Sequence, residues 1–136
     1  MVKQYFLSLK PRPRGFHIIT NEIVSSIKDF PDSGLVNIFI KHTSAGLTIN
    51  ENADSSVRKD FEVAMNRIII EGAQYYSHNM EGDDDMPAHL KASIIGSSVS
   101  IPITERKLNL GTWQGIYFCE FRENGGVRNL VVTVIS

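Results

Sequence analysis

The sequence predicts a single α+β domain built mainly of antiparallel strands with a few helices. Strand-like segments lie near the start, in the middle and along the last third of the chain, and helix-like segments lie between them. No internal repeat, linker or low-complexity tract divides the 136 residues. This length suits one compact hydrophobic core, so we predict one domain over residues 1–136.

The first third of the chain predicts a strand, a helix and a second strand. Lys3–Lys10 alternates well enough for a strand that ends at "PRPRG", and Leu35–Lys41 has the composition of a buried strand. After a turn at 42–46, the segment "LTIN" predicts a short strand paired to Leu35–Lys41. Apolar residues at helical spacing predict a helix that carries His17 on its surface: Phe16, Ile19, Ile23 and Ile27.

The middle of the chain predicts two more helices. The first is "NADSSVRKDFEVAMNRII", which Asp54 or Ser55 can cap. Its predicted apolar stripe consists of Val57, Phe61, Ala64 and Ile68. The second is "MPAHLKASIIG", with Pro87 in the first turn, Gly96 as the stop, and Leu90 and Ile94 on one face.

The last third predicts three strands, "SVSIPIT", "GIYFCEF" and "VRNLVVTVIS". We interpret Gly125–Gly126 as a hairpin turn and Trp113 as a core or interface aromatic. Glu120 and Arg122 are two residues apart, so on a strand they share a face, where they could pair or contact a polar ligand. Cys119 lies in an apolar strand without a positive neighbour, which indicates an unreactive thiol.

Composition excludes several classes of protein. The net charge is −1 without a basic run, which argues against nucleic-acid binding. No apolar run approaches the roughly 20 residues that cross a bilayer. A single cysteine permits no intrachain disulfide, and the first residues lack the pattern of a signal peptide. We therefore expect a cytoplasmic protein with no membrane partner.

The segment "SHNMEGDDDMPAH" (77–89) contains two histidines and three consecutive aspartates. Aspartates before a helix are favoured by the helix dipole, so Asp83–Asp85 can be explained without a function. Carboxylates also suit a hard cation such as Mg²⁺, and His89 lies close enough to share a ligand with them. The residues alone leave both interpretations open.

A second polar stretch, "KHTSAGLTINENAD", begins at His42, where a hydrophobic strand ends. Strand ends are common places for functional groups, but a turn followed by a capped helix would have the same composition. His78 and His89 are eleven positions apart across a loop, so only a fold-back would bring them together. With His42 they would then form a metal site. The spacing by itself is a weak metal signal.

Three motifs together resemble the YjbQ family, which is also called the secondary thiamine-phosphate synthase family. They are "HTSAGLTINENAD", "EGDDDMPAHLKASIIGSSVSIPI" and "LNLGTWQGIYFCEFR", and the resemblance runs from about Phe16 to Val134. It implies an α+β sandwich that assembles as a homotrimer. It also implies that His42, His78 and His89 are a metal or active-site cluster beside Asp83 and Asp84.

The resemblance gives thiamine-phosphate synthase as the first functional hypothesis, at low activity. The enzyme would join a pyrimidine diphosphate to a thiazole phosphate, with a divalent ion (zinc or magnesium) at the departing diphosphate. The predicted catalytic residues are His89, Asp84 and Glu51: His89 would donate a hydrogen bond or proton, and Glu51 or Asp84 would be the base if the protein is instead a hydrolase. The predicted contacts to the phosphorylated ligand are Asn50, Asn52, Lys91, Trp113, Gln114 and Arg122.

Two alternatives remain open. Three histidines with a free coordination position could activate water, which would make the protein a metal-dependent hydrolase of a small phosphorylated or ester substrate. A trimeric protein that binds a metal or ligand without catalysis would need the same residues. The scarcity of lysine and arginine near the acidic segment argues against efficient diphosphate chemistry.

Overall fold

The computed structural model describes residues 1–136 as two antiparallel sheets packed face to face. The five-stranded sheet has the order β1-β8-β3-β5-β6 and the three-stranded sheet the order β2-β7-β4. The strands are β1 Val2–Leu9, β2 Gly15–Ile18, β3 Ser33–Ile40, β4 Ala45–Glu51, β5 Ser98–Thr104, β6 Lys107–Leu108, β7 Gln114–Glu120 and β8 Arg128–Ile135. This is the predicted α+β class.

Three helices complete the fold: α1 Thr20–Ser26, α2 Ser55–Ile68 and α3 Asp85–Ile95. As predicted, the Asp54 side chain caps α2 by accepting the Ser56 N–H at 2.9 Å. Gly96 ends α3 with φ of 110°, a conformation that glycine adopts without strain. None of the three helices has the length and apolar character needed to cross a membrane.

The main core lies between the two sheets. Alternate residues of β3, Val36, Ile38 and Ile40, face inward and meet residues of the opposite sheet such as Leu47 and Phe118. The two-residue period of a strand explains why every second residue of β3 is buried while its neighbours face outward.

A smaller core lies between the three-stranded sheet and the helices α2 and α3. It contains Phe16, Tyr117 and Cys119 from the sheet and Ala88 and Ala92 from α3. Burial raises the pKa of the Cys119 thiol, which supports the interpretation of this cysteine as unreactive. Both faces of β7 are thus covered within one chain, so its apolar character does not by itself indicate a subunit interface.

The predicted helix from Phe16 onward was partly wrong. Residues 15–18 form β2, which pairs with β7 so that Phe16 lies opposite Cys119, and the helix begins only at Thr20. His17 therefore lies on a strand. The spacing of Phe16 continued the helical period of Ile19 and Ile23, but pairing with a central buried strand overrides that local pattern.

Two predicted strand connections were also wrong. The "LTIN" segment belongs to β4 and pairs with β7 in the other sheet, so the chain crosses the sandwich between β3 and β4. Gly125–Gly126 likewise lies in a turn that crosses from β7 to β8, which belong to different sheets, and is not a hairpin. In a sandwich, consecutive strands commonly belong to different sheets, and local sequence does not show this.

The buried faces of two helices differ from the predicted ones. In α2, Phe61 and Met65 pack on the sheet while Ile68 is 72% exposed. In α3, the buried face carries Ala88 and Ala92, and Ile94 is exposed. The alanines let α3 approach the sheet closely, which larger residues at these positions would prevent.

Candidate functional site

Helix α3 and the loop before it bring His78, Asp85 and His89 together. Asp85 is the first residue of α3 and His89 follows one turn later, so the four-residue spacing places both side chains on one face. His78 comes from the long connection between α2 and α3. One ligand atom from each residue lies within 4.8 Å of the others.

Both imidazole rings point their Nε2 atoms at the same carboxylate oxygen. Asp85 Oδ2 lies 2.5 Å from Nε2 of His78 and 3.2 Å from Nε2 of His89. The two ring centroids are 5.4 Å apart. The Asp85 side chain is buried, at 3% exposure, while both rings are partly exposed. The cluster is therefore anchored from inside and accessible from solvent.

Both ring nitrogens of His89 face oxygen acceptors. His89 Nδ1 lies 3.0 Å from the carbonyl oxygen of Thr43, and a carbonyl can only accept. Asp85 Oδ2, which faces Nε2 at 3.2 Å, also only accepts, and a neutral ring has a single N–H to donate to one of the two oxygens. Both contacts are satisfied together when the ring carries both protons or when a metal cation lies between Nε2 and Asp85 Oδ2.

Arg122 keeps the carboxylates of the cluster in place. Its guanidinium donates to Asp84 Oδ2 at 2.9 Å, to Asp85 Oδ1, and to the Glu81 carbonyl at 3.1 Å. Burial by itself raises the pKa of Asp85, but the His78 hydrogen bond and the Arg122 charge outweigh it, so this pKa lies below its ordinary value. Asp85 is consequently a carboxylate at neutral pH.

The donor set fits a divalent transition metal. Two imidazole nitrogens and one carboxylate oxygen are ligands that suit zinc, whereas magnesium prefers oxygen ligands alone. The contact from His89 Nδ1 to a backbone carbonyl is the orientation that metal-ligating histidines commonly have. Three protein ligands leave at least one coordination position for water or substrate.

A polar cavity of about 200 Å³ adjoins the cluster. Its walls come from the connection between α2 and α3 and from the first turn of α3, and they include Gln74, Tyr76, His78, Asn79, Asp83 and Met86. The volume is suited to a small polar molecule or to part of a larger one. Asp83 is exposed and lines this cavity rather than contacting the histidines.

His42 lies outside the cluster in a single chain. Its Nε2 accepts the backbone N–H of Asn129 at 2.8 Å, which requires an unprotonated nitrogen. Burial, followed by the Arg128 charge, lowers the pKa of His42 and favours that neutral form. A metal at this nitrogen would have to displace Asn129, so the structure brings together two of the three predicted histidines.

Asp84 and Arg122 lie beside the cluster in supporting positions. Asp84 Oδ2 accepts from Arg122 and from the Glu123 N–H at 3.0 Å, which leaves Asp85 as the carboxylate that contacts the histidines. The predicted shared strand face of Glu120 and Arg122 was wrong, because β7 ends at Glu120 and Arg122 lies beyond it. The Arg122 side chain extends toward these aspartates, and only its backbone N–H contacts the Glu120 carboxylate.

Five predicted residues lie at the other end of the three-stranded sheet. In the pairing of β4 with β7, Glu51 is opposite Gln114, whereas the histidine end has Ala45 opposite Glu120. Six residues of strand separate the two ends by about 20 Å. Within one chain five predicted residues therefore lie at the end away from the histidines: Asn50, Glu51, Asn52, Trp113 and Gln114.

The contacts at that far end are local. The Glu51 carboxylate accepts the Asp54 N–H at 3.3 Å, and Asn52 donates to the Gln114 carbonyl at 3.2 Å. Trp113 is 64% exposed, so it is not the core aromatic that one interpretation gave. These side chains stabilise the turn between β4 and α2 in a single chain.

Lys91 is enclosed in the protein instead of facing the cavity. It is 1% exposed, and its Nζ donates to Asn66 Oδ1 at 2.6 Å. Burial lowers the pKa of Lys91. A ligand could reach this ammonium only after α2 and α3 had moved apart.

Sequence reasoning did not distinguish Asp85 from its neighbours, and it considered Arg122, not Arg128, as the partner of Glu120. Asp85 was one of three adjacent aspartates, but only it stands four residues before His89, a spacing visible in the sequence. Glu120 is fully buried and binds Arg128 through two hydrogen bonds of 2.5 and 2.8 Å. The sequence offered one signal for this pair, which was a charged residue at a strand position expected to face the core. Charged residues are rarely buried unless they are paired.

Comparison with known proteins places the chain in a family. The model of the family described as "UPF0047 protein YjbQ-like" matches residues 5–136. The UPF0047 protein YjbQ of Salmonella typhimurium is 43% identical over 133 residues, which cover 96% of each chain.

Solved structures show the same fold. A YjbQ/UPF0047 family protein from Clostridium acetobutylicum superposes with a TM-score of 0.82 at 40% identity, covering 96% of this chain and 98% of that one. A conserved hypothetical protein from Thermus thermophilus gives 0.85 at 28% identity with the same coverage. On the family match and these identities, the chain belongs to the YjbQ-like UPF0047 family.

Proposed function

We propose that this protein is a metal-dependent hydrolase of a small phosphorylated or ester substrate. The observation that carries the proposal is the convergence of His78, Asp85 and His89, with a polar cavity beside them. A zinc ion held by these residues would supply an activated water at neutral pH. Nitrogen donors favour zinc over magnesium, and this distinguishes the site from an all-carboxylate magnesium site.

The residues of the chain have separate roles in this proposal. His78, His89 and Asp85 hold the metal, and Thr43 orients His89 through its carbonyl oxygen. Arg122 keeps Asp85 ionised and fixed in position. Asp83 is exposed at the cavity, where its carboxylate can accept a proton from a bound water.

Formation of thiamine phosphate is the second candidate, and one observation favours it. Asp83 lies at the cavity wall and is not held by Arg122, so it offers oxygen ligands for a magnesium ion on a departing diphosphate. Arg122, the nearest arginine, is already bonded to three oxygens of the protein. With no free cationic group to neutralise phosphate, we expect this reaction to be slow.

An activity assay separates the two reactions. Purified protein with zinc is expected to hydrolyse at least one class of phosphomonoester or carboxylic ester, and His89→Ala is expected to reduce that rate at least about 100-fold. The same preparations receive the pyrimidine diphosphate and thiazole phosphate precursors with magnesium, with Asp84→Asn as a further variant. Product only in this second assay would replace the hydrolase proposal. Metal binding without either reaction would establish a binding protein.

We also propose that the protein is a homotrimer. The resemblance to the family implies it, and the outer face of the five-stranded sheet offers a surface to be covered. Two apolar rows cross this face, separated by a row of polar residues: Val2, Ile135 and Leu35 in one, Phe6, Val131 and Phe39 in the other. Phe6 is 78% exposed and Phe39 is 44% exposed. Exposed apolar area of this kind marks interaction surfaces.

Sedimentation equilibrium at micromolar concentration is expected to give three times the mass of the chain. Phe6→Lys is expected to shift the protein toward monomer, because it places a charge in an apolar row. Tyr75→Lys is the matched control, since Tyr75 has the same 78% exposure but lies away from this sheet. A wild-type protein that remains monomeric would contradict the proposal, and a trimer unaffected by Phe6→Lys would assign the interface to another face.

A further inference from the structure

The buried ion pair of Glu120 and Arg128 contacts both elements that orient the histidine and aspartate cluster. Neither residue touches His78, Asp85 or His89 directly. Glu120 is 0% and Arg128 5% exposed, so both charges have been removed from water. Such a pair contributes little net stability compared with apolar residues of the same volume, and its presence calls for another explanation.

On one side, Arg128 holds the turn that carries Thr43. Its Nη2 donates to Ser44 Oγ at 2.9 Å. Thr43, the residue before Ser44, supplies the carbonyl oxygen that contacts His89 Nδ1. The next residue along β8, Asn129, donates its N–H to His42 Nε2 at 2.8 Å. The start of β8 therefore fixes residues 42–44 through two contacts: the Arg128 side chain binds Ser44, and the His42 side chain binds the Asn129 N–H.

On the other side, Glu120 holds the backbone of Arg122. Glu120 Oε1 accepts the Arg122 N–H at 3.1 Å, and the Arg122 side chain in turn binds Asp85. The chain leaves room for this carboxylate at Gly125, where an added Cβ would collide with both oxygens of Glu120. The ion pair of Glu120 and Arg128 thus connects the Thr43 turn, which contacts His89, with Arg122, which binds Asp85.

We propose that Glu120 and Arg128 are positioning residues that fix the orientation of the His89 ring, with Ser44 and His42 as the contacts to the Thr43 turn. The consequence for metal binding rests on the proposed metal site, whereas the effect on the His89 ring does not. This gives His42 a role in holding the turn in place of a role as a metal ligand. It also explains why a charged pair is buried where the two sheets meet.

The test uses Ser44→Ala and Arg128→Lys with two measurements. Crystal structures of the metal-free wild type and of both variants report the distance from His89 Nδ1 to the Thr43 carbonyl oxygen. Competition with a chromophoric chelator reports zinc affinity. The wild type is expected to keep the His89 to Thr43 contact near 3.0 Å, and both variants are expected to lose it. Zinc affinity is expected to fall about 10–100-fold, the usual cost of losing a partner behind a ligand.

Val132→Ala is the control for a general loss of stability. Val132 lies on the same strand as Arg128 and is fully buried in the main core, away from the Thr43 turn. It is expected to lower the unfolding midpoint while leaving the His89 to Thr43 contact and the zinc affinity as in the wild type. An unchanged His89 to Thr43 contact in both Ser44→Ala and Arg128→Lys would overturn the proposal. If the wild type binds no zinc but the variants lose this contact, the metal site fails and the positioning role stands.

Discussion

Asp85→Asn is expected to abolish zinc binding at this site. Asp85 is the only carboxylate whose oxygen contacts both imidazoles, and an uncharged amide is a poor zinc ligand. The affinity should fall by more than the roughly 10–100-fold that the loss of a partner behind a ligand costs. Competition with a chromophoric chelator, together with metal analysis of the purified protein, measures this.

Asp83→Asn is the matched control for that experiment. Asp83 lies two residues earlier, carries the same charge and is exposed at the cavity. It is expected to leave zinc affinity within about threefold of the wild type, because a charge at an exposed position is screened by water and salt. If Asp85→Asn and Asp83→Asn bind zinc equally well, the ion does not bind to Asp85 and the proposed site is wrong.

Arg128→Met is expected to cause the largest loss of stability of any single change discussed. It leaves the Glu120 carboxylate buried without its partner, and breaking a buried pair in this way costs about 3–5 kcal/mol of unfolding free energy. Methionine retains much of the volume of the arginine stem, so the loss reports the charge and not a cavity. Denaturant unfolding followed by circular dichroism measures it.

Two further variants complete that experiment. Lys3→Met removes an ion pair with Asp29 in which both side chains are well exposed, and it should leave the unfolding midpoint nearly unchanged. The double change Arg128→Met with Glu120→Leu should recover much of the loss, because no unpaired charge then remains buried. A small effect of Arg128→Met would show that water reaches the Glu120 carboxylate.

The sequence by itself determined the fold class, the segments that form most strands, and the ends of two helices. The cap at Asp54 and the stop at Gly96 depend on short-range hydrogen bonds and on backbone conformation, which neighbouring residues specify. Two residues of the candidate site, His78 and His89, were also identified. The spacing from Asp85 to His89 was also visible in the sequence. Residues four apart on a helix lie on the same face, so this spacing predicts that the two side chains are neighbours.

Only the tertiary structure decided which strands pair and which polar groups meet. β4 pairs with β7 instead of with β3, because the face that each strand buries depends on the opposite sheet and not on its neighbour in sequence. The chain crosses from one sheet to the other between β3 and β4. At this crossing the Thr43 carbonyl contacts His89, and the His42 side chain contacts the Asn129 N–H. Glu120 and Arg128 became partners because buried charges must pair in space, and no local pattern specifies that pairing.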